Sequence, residues 1–198
     1  VLWSAPTSTS GLADDLLAVK SWCHIVDGNA TSDDQLRDMI QDAMRCVETY
    51  QRRQLLTATY AVTMDDWPAN GVIEIRDKLP IATIVSVQYK DADGDTQTVT
   101  ATNYHTSLPR NSPARIQPIS GYAWPTLQTG ALERVTVNLT AGYGNAHQVP
   151  MTTRAAIRDL VAEMVENRGP TVTGTIVAEI PGKLKRNLDA ECWTISGY

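Results

Sequence analysis

Cysteine is scarce in this chain of 198 residues: Cys23, Cys46 and Cys192 are odd in number, far apart and never at CxxC spacing. A disulfide framework and a tetrahedral zinc site are therefore not indicated, and the thiols are expected to be free and buried. Long apolar runs are missing too. None approaches the roughly 20 residues a helix needs to cross a bilayer, so no membrane partner is expected. The opening stretch VLWSAPTSTSG has neither a basic start nor an apolar block. It reads as a flexible lead-in over residues 1–11 and not as a secretory signal, which leaves the sequons at Asn29 and Asn138 without a glycosylation context. Nor is there a surplus of positive charge. The net charge is −5, with 8 acids against 5 bases over residues 1–56, 8 against 6 over 57–148, and 6 against 6 over 149–198. Without a basic stripe, tight nucleic-acid binding is not indicated. Internal repeats and low-complexity blocks are also lacking.

What is present suffices for a core: 42% of the residues are hydrophobic, and a chain of this length buries about 70% of its unfolded surface. Leu12, Leu16, Val19, Cys23 and Val26 recur at helical spacing, with Asp14 and Asp15 at the positive end of the helix dipole, where capping and solvation account for them. Ser32 and Gln35 form a capping-box pattern that opens a second helix running to about Arg53. Its apolar face is Leu36, Met39, Ile40, Ala43, Val47 and Tyr50, and Arg52 and Arg53 complement its C-terminal dipole. Asp34, Asp38 and Asp42 fall four apart on the other side, a solvated acidic stripe or an interaction surface.

From Leu56 the period changes to two. Six short β-branched runs (57–64, 72–75, 83–89, 96–100, 114–117 and 134–139) are separated by Pro, Gly, Asn and Asp, which predicts an antiparallel sandwich or small barrel. Ile157, Leu160, Val161, Met164 and Val165 then mark a long helix, led in by Pro150 and stopped at Gly169-Pro170. The fold class expected is α+β. Two N-terminal helices over 12–55 and a C-terminal helix over 149–169 that packs on them form a helical core; a β-rich insert occupies 56–148, and an extended arm without sustained period occupies 170–198.

Chemistry is mostly missing. Ala141-Gly142-Tyr143-Gly144 follows a strand, but no GxGxxG opens a helix and no GxxxxGK is present, so a phosphate loop is not indicated. The glycines instead permit positive φ where the last strand leaves the sheet, with Tyr143 packing over the junction. The run from Asp91 to Asp95 has Gly94 fourth where a calcium loop needs glycine sixth, and reads as a hairpin turn. His24, His105 and His147 each stand alone, and no GxSxG or HExxH occurs. Asp65-Asp66 read as a solvated turn. No catalytic residue, metal site or cofactor is expected, and the chain is read as a non-enzyme.

Several segments read together resemble a known family. The strand ending Ala141-Gly142-Tyr143-Gly144, then Val149-Pro150, Ala156-Ile157, Leu160-Val161-Ala162 and Glu166-Asn167-Arg168, resembles the head-to-tail connector (adaptor) proteins of long-tailed bacteriophages, prophages and gene-transfer particles. Leu79-Pro80-Ile81 leading into Ile84 to Asp91, then Gly94, Tyr104 and Trp124-Pro125, are similar to that family's β insert. Residues 12–20, Val26-Asp27 and the helix ending Val47-Glu48 resemble its N-terminal helices. The resemblance spans about residues 12–168. Departures are Val165, where the family often has an aromatic, an extended loop over 28–32, and the tail.

The resemblance implies a structural, non-catalytic subunit of the virion neck, assembled in the host cytoplasm. Its copies would form a ring, dodecameric by implication, beneath the portal protein, with a further neck, stopper or tail protein below and double-stranded DNA passing through the lumen. Another tail-completion protein or a β-rich binding module is the alternative. Three sets of residues carry the expected sites. Asp34, Asp38 and Asp42 would face the lumen or a neighbour's Arg45 or Arg52. Lys183, Lys185, Arg186, Trp193 and Ile195 would dock the arm on the portal. Gly142, Tyr143, Gly144 and Pro150 would form the structural junction between the last strand and the packed helix.

Overall fold

The computed structural model describes residues 1–6, 11–25, 33–166 and 182–192. The chain divides into two compact units, each built from separate stretches: Val1–Thr9 with Thr57–Gly142, and Ser10–Leu56 with Tyr143–Tyr198. Helices occupy the second and antiparallel strands the first, so the fold is α+β.

The helical unit comprises α1 (Leu16–Trp22), α2 (Asp33–Gln51), α3 (Met151–Glu166) and α4 (Gly182–Asp189). Helix α1 starts later than the period alone predicts because Asp15 serves as its N-cap, accepting from the Leu17 amide. Leu36, Ile40, Ala43, Met44 and Val47 line one side of α2 and are buried. They pack with Val19 of α1, with Ala156, Ile157 and Val161 of α3, and with Leu184 and Leu188 of α4. Each fully buried aliphatic side chain contributes roughly 1.5–3 kcal/mol. Past Gln51 the chain turns sharply at Arg52, whose φ is +54°. Glu48 holds this exit: its Oε1 accepts from the Leu55 amide and from Gln54 Nε2, each at 2.9 Å.

The β unit holds β1 (Leu2–Trp3), β2 (Ala58–Met64), β3 (Ile73–Ile75), β4 (Ile81–Lys90), β5 (Thr96–Thr98), β6 (Tyr104–Ser107), β7 (Ala114–Pro118) and β8 (Val135–Ala141). They form one sheet of order β1-β2-β8-β4-β5 and a second of order β3-β7-β6, with every pairing antiparallel. Alternation sets the faces. On β8, Val135, Val137, Leu139 and Ala141 are buried while the residues between them are half-buried. Among the described residues no closed barrel forms, because the larger sheet ends at β1 on one side and β5 on the other, and this corrects the barrel-like expectation. The chain has no phenylalanine. Its aromatic packing rests on Trp and Tyr placed where polar atoms find partners: Trp67 stacks on Trp124 at 4.6 Å, and their indole N–H groups donate to the Pro125 and Gly71 carbonyls.

Three expectations are corrected. The flexible N-terminus is, over its first residues, the edge of a sheet: Trp3 packs edge-on against Tyr60, and Ser4 exchanges hydrogen bonds with Ala61. The extended C-terminal arm is helical over Gly182–Asp189. The free cysteines are not buried: Cys46 is exposed, and Cys23 and Cys192 are intermediate.

Candidate assembly surfaces

The acidic row of α2 lies on its exposed side, and two of its members are engaged within the helix. Asp34 pairs with Arg37 at 2.9 Å and Asp42 with Arg45 at 3.5 Å, both one turn apart. Asp38 stands between them, exposed. Upstream, Asp33 binds Lys20 of α1 at 2.6 Å. The Lys20 hydrogen bond, followed by the charges of Lys20 and Arg37, holds the Asp33 carboxyl below the ordinary aspartate range. Arg45 therefore already has an acid of its own chain, and Arg52 sits exposed one residue beyond the helix.

The glycine corner has a definite local chemistry. Gly142 and Gly144 adopt φ of +114° and +112°, a region L side chains rarely enter. The Gly142 amide donates to the Pro80 carbonyl within the β unit, and the Tyr143 amide donates to the Leu55 carbonyl within the helical unit. Asn145 then caps a short 3-10 turn, Ala146–Gln148, through a capping box: its side chain accepts from His147 N, and Gln148 Oε1 accepts from the Asn145 amide at 3.1 Å. The Pro150 carbonyl receives the Arg154 amide at 3.0 Å in the first turn of α3. Phosphate-binding geometry is not what this corner builds, because the Gly142 and Gly144 stretch leads into a capped turn and not into a helix.

Sequence reasoning missed a buried polar clasp that fixes α4. Gln51, fully buried, donates through Nε2 to the Leu188 carbonyl at 3.0 Å and accepts from Thr153 Oγ1 at 3.4 Å. Arg53, also buried, donates to the Glu191 carbonyl and, at 3.0 Å, to the Tyr143 hydroxyl. The Tyr50 hydroxyl donates to Asp189 Oδ1 at 2.6 Å. This hydrogen bond to a carboxylate, with burial and the charge of Asp189 adding to it, raises the Tyr50 hydroxyl above the usual tyrosine range. Arg53 is thus not a dipole complement on the surface. The residues expected to dock the arm fall differently: Lys183 lies in α4, Lys185 and Arg186 are exposed on it, and Trp193 and Ile195 lie outside the described residues.

A second missed pair ties α1 to α3. Asp14 is 3% exposed and receives two bonds from Arg158, Nε at 2.5 Å and Nη2 at 3.0 Å. That bidentate hold raises the Arg158 guanidinium above its ordinary value. Arg158 also lies 5.9 Å from the Trp22 ring, beside a shallow groove lined by Ala18, Ser21, Trp22 and His24. Among the described residues no group of His, Cys, Asp and Glu could hold a metal ion, and no helix is long and apolar enough to cross a membrane. The Asp91 loop is the hairpin turn between β4 and β5, its Oδ1 accepting from the Asp93 and Asp95 amides.

No protein-family model and no curated protein matches this chain. Solved structures do. A chain of the structure described as "Neck of empty GTA particle computed with C6 symmetry" superposes with a TM-score of 0.78 at 19% identity, covering 100% of this chain and 99% of that one. The same values hold for "Virion of native gene transfer agent (GTA) particle". For "Neck of native GTA particle computed with C12 symmetry" the TM-score is 0.69 at 19% identity, covering 98% and 99%. At this identity the likeness shows a shared fold over the whole chain.

Proposed function

We propose that this chain is a head-to-tail connector (adaptor) subunit of a bacteriophage, prophage or gene-transfer particle. Twelve copies form a ring beneath the portal, continue the DNA channel and offer a platform to the next neck or tail protein. The end-to-end match of fold with chains from gene transfer agent necks carries this reading, and the family resemblance of residues 12–168 points the same way. The role is mechanical joining without bond chemistry. Purified protein gives ring images, alone or with the portal of its own particle, and the ring contributes twelve times the 21.7 kDa subunit to the native mass. A chain that stays monomeric on its own and beside the portal overturns the proposal.

Within that ring the acidic row Asp34, Asp38 and Asp42 faces the lumen or the neighbour's Arg45 or Arg52. A lumen wall of acids gives DNA phosphates no cation to bind in passage. Subunit positions in an assembled particle that put all three acids on the outer surface, away from any neighbour, sink this assignment. The end of the chain, with Lys183, Lys185, Arg186, Trp193 and Ile195, docks on the portal. Because α4 belongs to the helical core, truncation is the wrong test. Lys185→Glu with Arg186→Glu leaves Leu184 and Leu188 in place, and unchanged attachment of that variant to the portal disposes of the idea.

A further inference from the structure

The larger sheet buries one face, and the opposite face is distinguished by what it lacks. Charged residues make up 20% of the chain. None stands at the outward positions of the two central strands, Thr59, Ala61 and Thr63 on β2 and Thr136, Asn138 and Thr140 on β8, which lie in register and are half-buried or exposed. On β4 the positions in register with the β8 row are Thr83, Ser86 and Gln88. A sheet face meant only for water carries Lys, Glu or Arg among its polar residues.

The polar groups that are present bond sideways. Asn138 Nδ2 donates to Ser86 Oγ at 3.0 Å and to Gln88 Oε1 at 3.1 Å, and the hydroxyls of Thr83 and Thr140 bond to each other. Amides and hydroxyls already paired with one another lose little when water is removed from above them. Charges gather instead at one end of the sheet, where Arg134 binds Asp66 at 3.3 Å. Exposed apolar side chains flank the uncharged area: Leu2, in register with Thr63, and Val85 on β4. An uncharged centre with a charged rim is the anatomy of a protein interface.

We propose that this face seats a second copy of this chain, which meets it with a different surface, as a closed ring requires. The proposal deepens the ring reading and rests on it. Net charge does not stand against a copy at this face. Two chains of −5 repel where their acidic surfaces meet, and a broad uncharged face is where they approach without that repulsion. Area favours it. Strands about 4.8 Å apart and about 3.3 Å per residue give a face on the order of 500 Å², a large share of the roughly 800 Å² per partner of a stable interface.

The test places a charge of either sign on the face in the full-length protein: Thr136→Lys, Thr136→Glu and, at a more exposed position of the same face opposite Thr140, Thr59→Lys. Thermal melts followed by circular dichroism establish folding, and Thr59→Lys keeps the test valid if a Thr136 variant does not fold. Ring formation, read by mass photometry and negative-stain images, is expected to weaken at least about tenfold for both signs. Thr106→Lys, on the smaller sheet, assembles as wild type. Folded variants that form rings at wild-type concentrations overturn the proposal. Intact rings that lose the portal assign the face to an unlike partner, and intact rings in which only Thr136→Lys retains DNA assign it to the lumen; either result overturns the second copy. Wild-type protein that forms no ring, alone or with portal, overturns the ring reading itself, which separates the two failures.

Discussion

At the scale of single residues, the most consequential groups are those the sequence pattern marks least. Asp14 precedes the N-cap of α1 and looks like one more solvated acid, yet it is buried against Arg158. Removing a buried partner leaves an unpaired charge. Asp14→Ala is expected to cost about 2–4 kcal/mol in denaturant unfolding, less than a fully buried pair because Arg158 keeps some solvent. Since Arg158 is raised above its ordinary value, its contribution is complete below that value and fades only as pH climbs past it. Alkaline titration to pH 10 therefore leaves the pair intact. Gly144 was legible as a corner, and its neighbour supplies the reason: a Cβ there lands 1.9 Å from Gln148 Oε1, at φ +112°. Gly144→Ala is expected to cost roughly 1–3 kcal/mol, visible as a lowered melting temperature.

At the scale of elements, legibility follows how much apolar periodicity an element needs in order to form. Helix α2 shows its stripe over five turns: Leu36, Ile40, Ala43 and Val47 of the predicted face are buried, whereas Met39 is half-buried, Tyr50 is exposed with its hydroxyl on Asp189, and Met44 and Gln51 are buried outside that face. The six β-branched runs all became strands, because alternation against a buried face leaves a pattern in the sequence. Strands β1 and β6 left none: one is two residues at a sheet edge, the other is Tyr-His-Thr-Ser with three exposed positions. Helix α4 was illegible for a different reason. Among its described side chains it buries Leu184 and Leu188, one turn apart, and further hold comes from Gln51 and Arg53 donating to the Leu188 and Glu191 carbonyls and from Tyr50 donating to Asp189. Side-chain bonds to backbone across more than 130 residues have no local signature.

Two outcomes belong to this element. Leu188→Ala is expected to cost about 2–4 kcal/mol and to speed amide exchange in α4 before the rest of the helical unit. The Tyr50 hydroxyl, raised above its usual range, supports α4 fully below the ordinary tyrosine value, about 10, and that support is lost as pH rises through the raised value. Faster exchange of α4 at strongly alkaline pH, with no such pH step in Tyr50→Phe, is the expected reading.

At the scale of the whole molecule, the two surfaces proposed for assembly differ in how far the sequence shows them. The acidic row could be counted along a helix, whereas the uncharged sheet face depends on strand register, which places Thr136 beside Thr63 across 73 positions of chain. If the acidic row faces a neighbour's cations, ring formation is expected to weaken as salt rises, because a Debye length near 8 Å at physiological ionic strength screens exposed pairs. Mass photometry across a salt series reads that slope, and Asp38→Asn flattens it. A flat profile in the wild-type protein counts against ionic contacts between copies.

One pairing described above reaches further. Ala58 opens β2 and Ala141 closes β8, and the two lie directly across the ladder from each other, about 5 Å apart. The chain therefore leaves the helical unit after Leu56 and returns at Tyr143 through adjacent doorways. A segment tethered in this way can be enlarged or exchanged between its two ends, provided that β2 keeps its pairing with β1, which joins the same sheet from the start of the chain. Changes of length or shape between those two ends then leave the sequence of the helices as it is.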